Sequence, residues 1–143
     1  MSGLGDALDR AILGPGVVRV EHEGRVAEVD VVDADRLGVR VLRVRVEGSA
    51  SRGPDAVRDA AARLPEALRG LPERMITVEV APALGGAILR SAPDDVQNRE
   101  FFEARTDGRV TELERVRALP SGRERVPFTI TREALGRIVD RSA

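Results

Sequence analysis

The sequence predicts an α+β fold: a mainly antiparallel sheet, made of a three-stranded meander and later hairpins, with about three helices packed on one face. Three observations point there. Apolar and polar residues alternate with period two across residues 17–46. A helical apolar stripe follows at 55–71. An Asp107-Gly108 dipeptide then sits between two further alternating runs.

In chain order, residues 2–13 read as a short helix. Leu4, Leu8, Ala11 and Ile12 fall at helical spacing, and Gly14-Pro15-Gly16 stops it. A two-residue turn at Glu23-Gly24 would set His22 opposite Arg25, Val20 opposite Ala27 and Val18 opposite Val29, with the apolar members on one face. The turn Asp33-Ala34-Asp35 leads into a third strand over 37–46. Its period breaks between Val41 and Leu42, which predicts a β-bulge or a sharp bend that restores the inward face. Pro54 suits the first turn of the next helix, whose stripe is Val57, Ala60, Ala61, Leu64, Leu68 and Leu71. Pro65 should kink or divide it.

Residues 75–80 read as a strand with Ile76, Val78 and Val80 inward, and 87–90 as another. The hairpin 100–117 turns at Asp107-Gly108, and its two-residue register sets Phe102 opposite Leu113 and Glu103 opposite Glu112. That pair of acids needs Arg105 or Arg115 beside it. Pro120-Ser121-Gly122 turns the chain into a last short strand at 126–130. Thr131 then caps a helix whose apolar side is Ala134, Leu135, Ile138 and Val139, with Ile130 packing back on Leu135. The expected organisation is one domain over 1–143: N-terminal helix 1–14, meander 17–46, helix 54–71, second β region 75–130 and C-terminal helix 131–141.

Composition narrows the chemistry. Only three Phe supply aromatic area, so the core is aliphatic and a stacking platform for single-stranded nucleic acid is disfavoured. All 23 basic residues are Arg, the codon bias of a GC-rich, bacterial genome, and the missing Lys removes Schiff-base and P-loop roles. No Cys means no disulfide, thiolate nucleophile or Cys-bound metal. A net charge of −1 gives no long-range pull on nucleic acid or membrane. Residues 1–13 lack the pattern of a secretion signal and no run approaches a membrane span, so the expectation is cytoplasmic.

Candidate residues are few. His22, the single histidine, reads as a surface residue at a hairpin end, and its count excludes a His-pair metal site. Asp30, Asp33 and Asp35 crowd one turn without the glycine and final Glu of a calcium loop, so they read as turn caps. Asp94, Asp95, Glu100 and Glu103 form a second acidic group that reads as solvated loop acids. Gly14-Pro15-Gly16 and Gly85-Gly86 match no phosphate-binding motif. No metal site and no cofactor is expected. Two arginine series remain: Arg36, Arg40, Arg43 and Arg45 on the third strand, and Arg115, Arg117, Arg123 and Arg125 on the late hairpin. They are read as a sheet face balanced by Glu21, Glu28, Glu103, Glu112 and Glu114.

The expected function is a small non-enzymatic protein-binding or adaptor domain acting as a homodimer, with a protein or a second copy as partner. Its binding residues would be Arg40, Arg43 and Arg45 on the sheet and Leu135, Ile138 and Val139 on the last helix. The element order (helix, three strands, helix, two strands, late helix) resembles the layout of the small, acidic, dimeric chaperones of type III secretion, which implies capture of an extended peptide. The added hairpin at 100–117 departs from that layout. The competing class is an enzyme using Asp94, Asp95 and Glu103, with or without a divalent metal, on an anionic small molecule.

Overall fold

The computed structural model describes residues 3–91 and 99–143. The meander comprises β1 (Gly16–His22), β2 (Arg25–Ala34) and β3 (Gly38–Glu47). The β1–β2 turn closes on Glu23 and Gly24 in the register the sequence sets, His22 with Arg25 and Val18 with Val29. Glu23 and Gly24 both have positive φ, the geometry that a two-residue turn between right-twisted strands demands. On β3 the partner of Asp30 is Arg43 while that of Val31 is Val41, so Leu42 is an extra residue. It resets the pleat, and Val39 and Val41 before it point to the same buried side as Val44 and Val46 after it. This is the bulge that the broken period anticipates.

The first helix, α1 (Leu4–Ala11), and the second, α2 (Pro54–Ala67), bury the stripes read from sequence. Pro65 does not divide α2, which runs on to Ala67. Its missing N–H forgoes one bond only three residues from the helix end, while Leu64 and Ala67 on either side stay in the core.

The remaining strands are β4 (Met75–Ala81), β5 (Gly86–Ser91), β6 (Glu100–Thr106), β7 (Val110–Leu119), β8 (Gly122–Val126) and β9 (Phe128–Thr131), before α3 (Arg132–Ser142). Among the described residues all nine strands join one antiparallel sheet, in the order β1-β2-β3-β7-β6-β5-β4. Beyond the bulge, β3 and β7 separate. β9 pairs with β3 over Gly38–Val41 and β8 pairs with β7 over Arg115–Leu119, with Pro127 between these two short strands. The sequence offered one strand here, at 126–130.

The hairpin β6–β7 is two residues longer than its dipeptide suggested. The Asp107 carboxylate accepts from the N–H of Arg109 at 2.9 Å and of Val110 at 2.7 Å, which closes a four-residue turn. Phe102 therefore faces Arg115, and Glu103 faces Glu114 instead of Glu112. Burial pushes the Asp107 carboxyl up, but the Val110 N–H, the Arg52 guanidinium and the Arg109 N–H outweigh it and hold it below its usual range.

One aliphatic ladder crosses the whole inner face: Val18, Val29, Val44, Leu113, Ala104 and Leu89 are successive cross-strand partners. The helices cover it. Leu4, Leu8 and Ile12 of the α1 segment, Leu64 and Leu68 from α2, and Leu135, Ile138 and Val139 of α3 share one core with it. At the α1–α3 crossing the backbones touch, since a Cβ on Gly5 would lie 2.3 Å from the Gly136 carbonyl oxygen. Asp140 of α3 accepts from the Gly5 N–H at 2.8 Å, supplying the cap that Gly3 cannot. At the other end of α1, Arg132 donates to the carbonyls of Asp9, Ile12 and Asp35 and to the Asp9 carboxylate. Thr131 caps α3 as expected, accepting from Ala134 N–H at 3.1 Å.

Candidate functional site

The outer face of the sheet bears charge where the inner face bears aliphatics. Arg19, Glu28, Arg45, Glu112 and Arg105 are successive partners across five strands, alternating in sign. Arg43 lies 3.1 Å from Glu28, 3.6 Å from Glu112 and 3.8 Å from Asp30, and Arg45 lies 3.6 Å from Glu112. The positive strip read from Arg43 and Arg45 is therefore met by acids on both neighbouring strands. Arg40 stands apart from them across the bulge, exposed and opposite Asp33 and Thr129.

Leu135, Ile138 and Val139 are turned inward, each almost wholly buried. α3 spends its apolar side on β3, β9 and α1, so these three side chains belong to the core and offer no outer surface. Asp33 and Asp35 accept from neighbouring backbone N–H groups, as turn caps do. The N–H groups of Gly38 and Leu37 hold the Asp35 carboxyl below its usual range. Asp94 and Asp95 lie outside the described residues. Glu100 accepts from Arg117 at 3.3 Å.

Glu103 is the unexpected member of the acidic group. It is 1% exposed although it points to the outer face, because guanidinium groups roof it. Arg90 of β5 donates at 2.6 Å, Arg123 of β8 at 2.7 Å and Arg105 of β6 at 2.8 Å. Burial pushes its carboxyl up, but these three hydrogen bonds together hold it below the usual carboxylate range. Its carboxylate is thus ionised and fully engaged by arginine, and Arg105 meets the need for a cation beside Glu103 that the facing acids create.

The β4 edge leaves apolar side chains unspent. Ile76, Val78 and Val80, expected inward, are 51%, 52% and 43% exposed. Their pleat is interrupted: Thr77 pairs with Leu89 and Glu79 with Ile88, leaving Val78 as a bulge. Ile76 consequently falls on the outer face beside Arg90, and Val80 sits at the last pairs of the edge, opposite Ala87. The 3-10 helix Pro82–Leu84 extends the strip with Leu84, 86% exposed. Next to it lies an open cleft of about 420 Å³ whose apolar wall is Ala81, Leu84, Ile88 and Val110, with Glu79 and Arg105 at its rim. Alternation alone made these residues look like core. The same pattern suits an edge strand, and no residue in 75–81 records which neighbour is missing.

The chain matches no family model, no curated protein and no solved structure. Among the described residues, no helix is long and apolar enough to cross a membrane.

Proposed function

We propose that this chain is a non-enzymatic protein-binding domain that acts as a homodimer, with the β4 edge as its contact surface. The observation that carries this is the run of half-exposed apolar side chains Ile76, Val78 and Val80 on a terminal strand that, among the described residues, has no strand on its outer side. Leu84 and the adjoining cleft make the surface broader than one strand. A second copy is a suitable occupant because the chain's net charge of −1 sets no long-range repulsion between copies, and residues 75–81 carry one charge, Glu79. The bulge at Val78 interrupts a regular ladder, so the contact rests on side-chain burial more than on strand addition.

Light scattering across a concentration series tests it. The expected result is a mass about twice the 15.4 kDa chain, falling to one chain in Val78→Asp with a cooperative thermal melt retained. A strict monomer at about 0.1 mM, where even weak dimers of this kind should populate, refutes the proposal.

A further inference from the structure

The outer face is not charged evenly. On its β1–β3 side Arg19, Arg43 and Arg45 meet Glu28, Asp30 and Glu112, one acid for each arginine. On its β5–β8 side Arg90, Arg105 and Arg123 converge on the one carboxylate of Glu103, while Arg125 pairs with Glu114 and Arg105 also faces Glu112. Among the described residues Arg90 and Arg123 have no second acid within ion-pair distance, so the pair carries more charge than Glu103 neutralises. Arg90 and Arg123 donate to the same Oε2 of Glu103, which holds two like charges on either side of one carboxylate oxygen. Both guanidinium groups also lie over the Phe101 ring, 5.6 and 5.5 Å from its centroid, so the ring and the buried carboxylate fix them from below. Their side chains remain 39% and 38% exposed above. Each guanidinium carries five N–H donors, and among the described residues each gives hydrogen bonds from one nitrogen only, to Glu103.

We infer that Arg90 and Arg123, positioned by Glu103 and Phe101, form a binding site for a phosphate dianion. A carboxylate could occupy one planar fork. A tetrahedral dianion can bridge two forks. The site lies on the outer sheet face, where Arg90 is the cross-strand partner of Ile76 of the β4 edge; its arginines and Glu103 come from one chain, so it does not require dimer formation.

The experiment is calorimetric titration of the full chain at low ionic strength with inorganic phosphate and, separately, with phenyl phosphate. Saturable binding at one site per chain is expected, weakened about tenfold by Arg90→Gln or Arg123→Gln, each of which removes one charge-assisted fork. Arg45→Gln, on the balanced side, should leave it unchanged. If either glutamine variant melts early, Arg90→Lys and Arg123→Lys keep the charge and lose the fork, and should show the same weakening in a folded protein. Tighter binding of phenyl phosphate would mark a phosphomonoester carried on a larger molecule; equal binding would mark the free anion. No saturable heat with either probe, or binding that survives in the Arg90→Gln/Arg123→Gln double variant, overturns the inference.

Discussion

β3 and β4 are both runs of alternating apolar residues with one bulge, and they meet opposite fates. In β3 the extra residue, Leu42, keeps four valines on the buried side, where β2 and the paired β7 and β9 flank them and the helices cover them. In β4 the extra residue, Val78, has β5 on one side and, among the described residues, no strand on the other, and three apolar side chains stay half in water. A bulge decides the parity of a strand; its neighbours decide whether either parity is buried. Position in the sheet, more than local sequence, separates core from exposed edge here.

The sharpest way to break that comparison is the same substitution on both strands. Val44→Asp places a carboxylate at a position 1% exposed, within the aliphatic ladder. Its expected cost, about 4 kcal/mol or more, is a large part of the stability of a domain this size, and the cooperative melt should be lost. Val78→Asp should shift stability by no more than about 0.5 kcal/mol while abolishing self-association. Denaturant titration followed by circular dichroism reads both. Comparable destabilisation by the two would mean that the β4 edge is core after all.

Next in size is the charge contrast on the outer face. Glu103→Gln leaves three arginines crowded round a neutral amide, and should cost about 2–3 kcal/mol, the lower part of the range for breaking a buried pair because the guanidinium groups are partly in water. Glu28→Gln on the balanced side, where both partners are about a quarter exposed, should cost under about 1 kcal/mol. The pH dependence follows in sign. The Glu103 carboxyl is lowered on folding from 4.5, so the unfolded chain binds its proton more readily. Its contribution is full above about pH 4.5 and is lost as pH falls through the lower folded value. Urea midpoints at pH 7 and pH 3 should differ less in Glu103→Gln than in the parent; equal differences would show that this carboxylate is not a source of acid sensitivity.

The clamp at Arg132 tests whether the α1 end of the sheet is held by polar bonds as well as by apolar burial. Arg132→Met removes the donor to three carbonyls and one carboxylate, and should cost about 2 kcal/mol. Hydrogen exchange should then rise first in α1; uniform loss of protection would instead show that α1 unfolds only with the whole sheet.

Much of the fold was readable because several strands state their own constraints. Val18, Val20, Ala27 and Val29 admit one two-residue register, the clash of parities at Val41-Leu42 admits one bulge, and the α2 stripe repeats with helical period over nearly its whole length. What escaped needed long-range information. Nothing in residues 75–81 says that β4 is an edge. The Asp107 side chain, not the dipeptide, sets the turn length. Two of the three arginines round Glu103 come from strands 13 and 20 residues away. The expected contact residues Leu135, Ile138 and Val139 follow a sound amphipathic pattern, and such a pattern cannot distinguish a partner's surface from the chain's own sheet.

Deletion of each extra residue is the most direct test of what the two bulges do. Deleting Leu42 makes Arg43 follow Val41 while the pairs Asp30–Arg43 and Val31–Val41 keep their partners. Val39, Val41, Val44 and Val46 then alternate strictly with Arg40, Arg43 and Arg45, so the inner face survives. The loss should be about 1 kcal/mol, from the half-buried Leu42 side chain. Deleting Val78 likewise keeps the pairs Thr77–Leu89 and Glu79–Ile88 and should cost no more. If the Leu42 deletion instead costs above about 3 kcal/mol, in the range of a core defect, the extra residue has a second duty. Leu42 stands where β3 exchanges β9 for β7, and a straightened strand would then be unable to serve both partners at once.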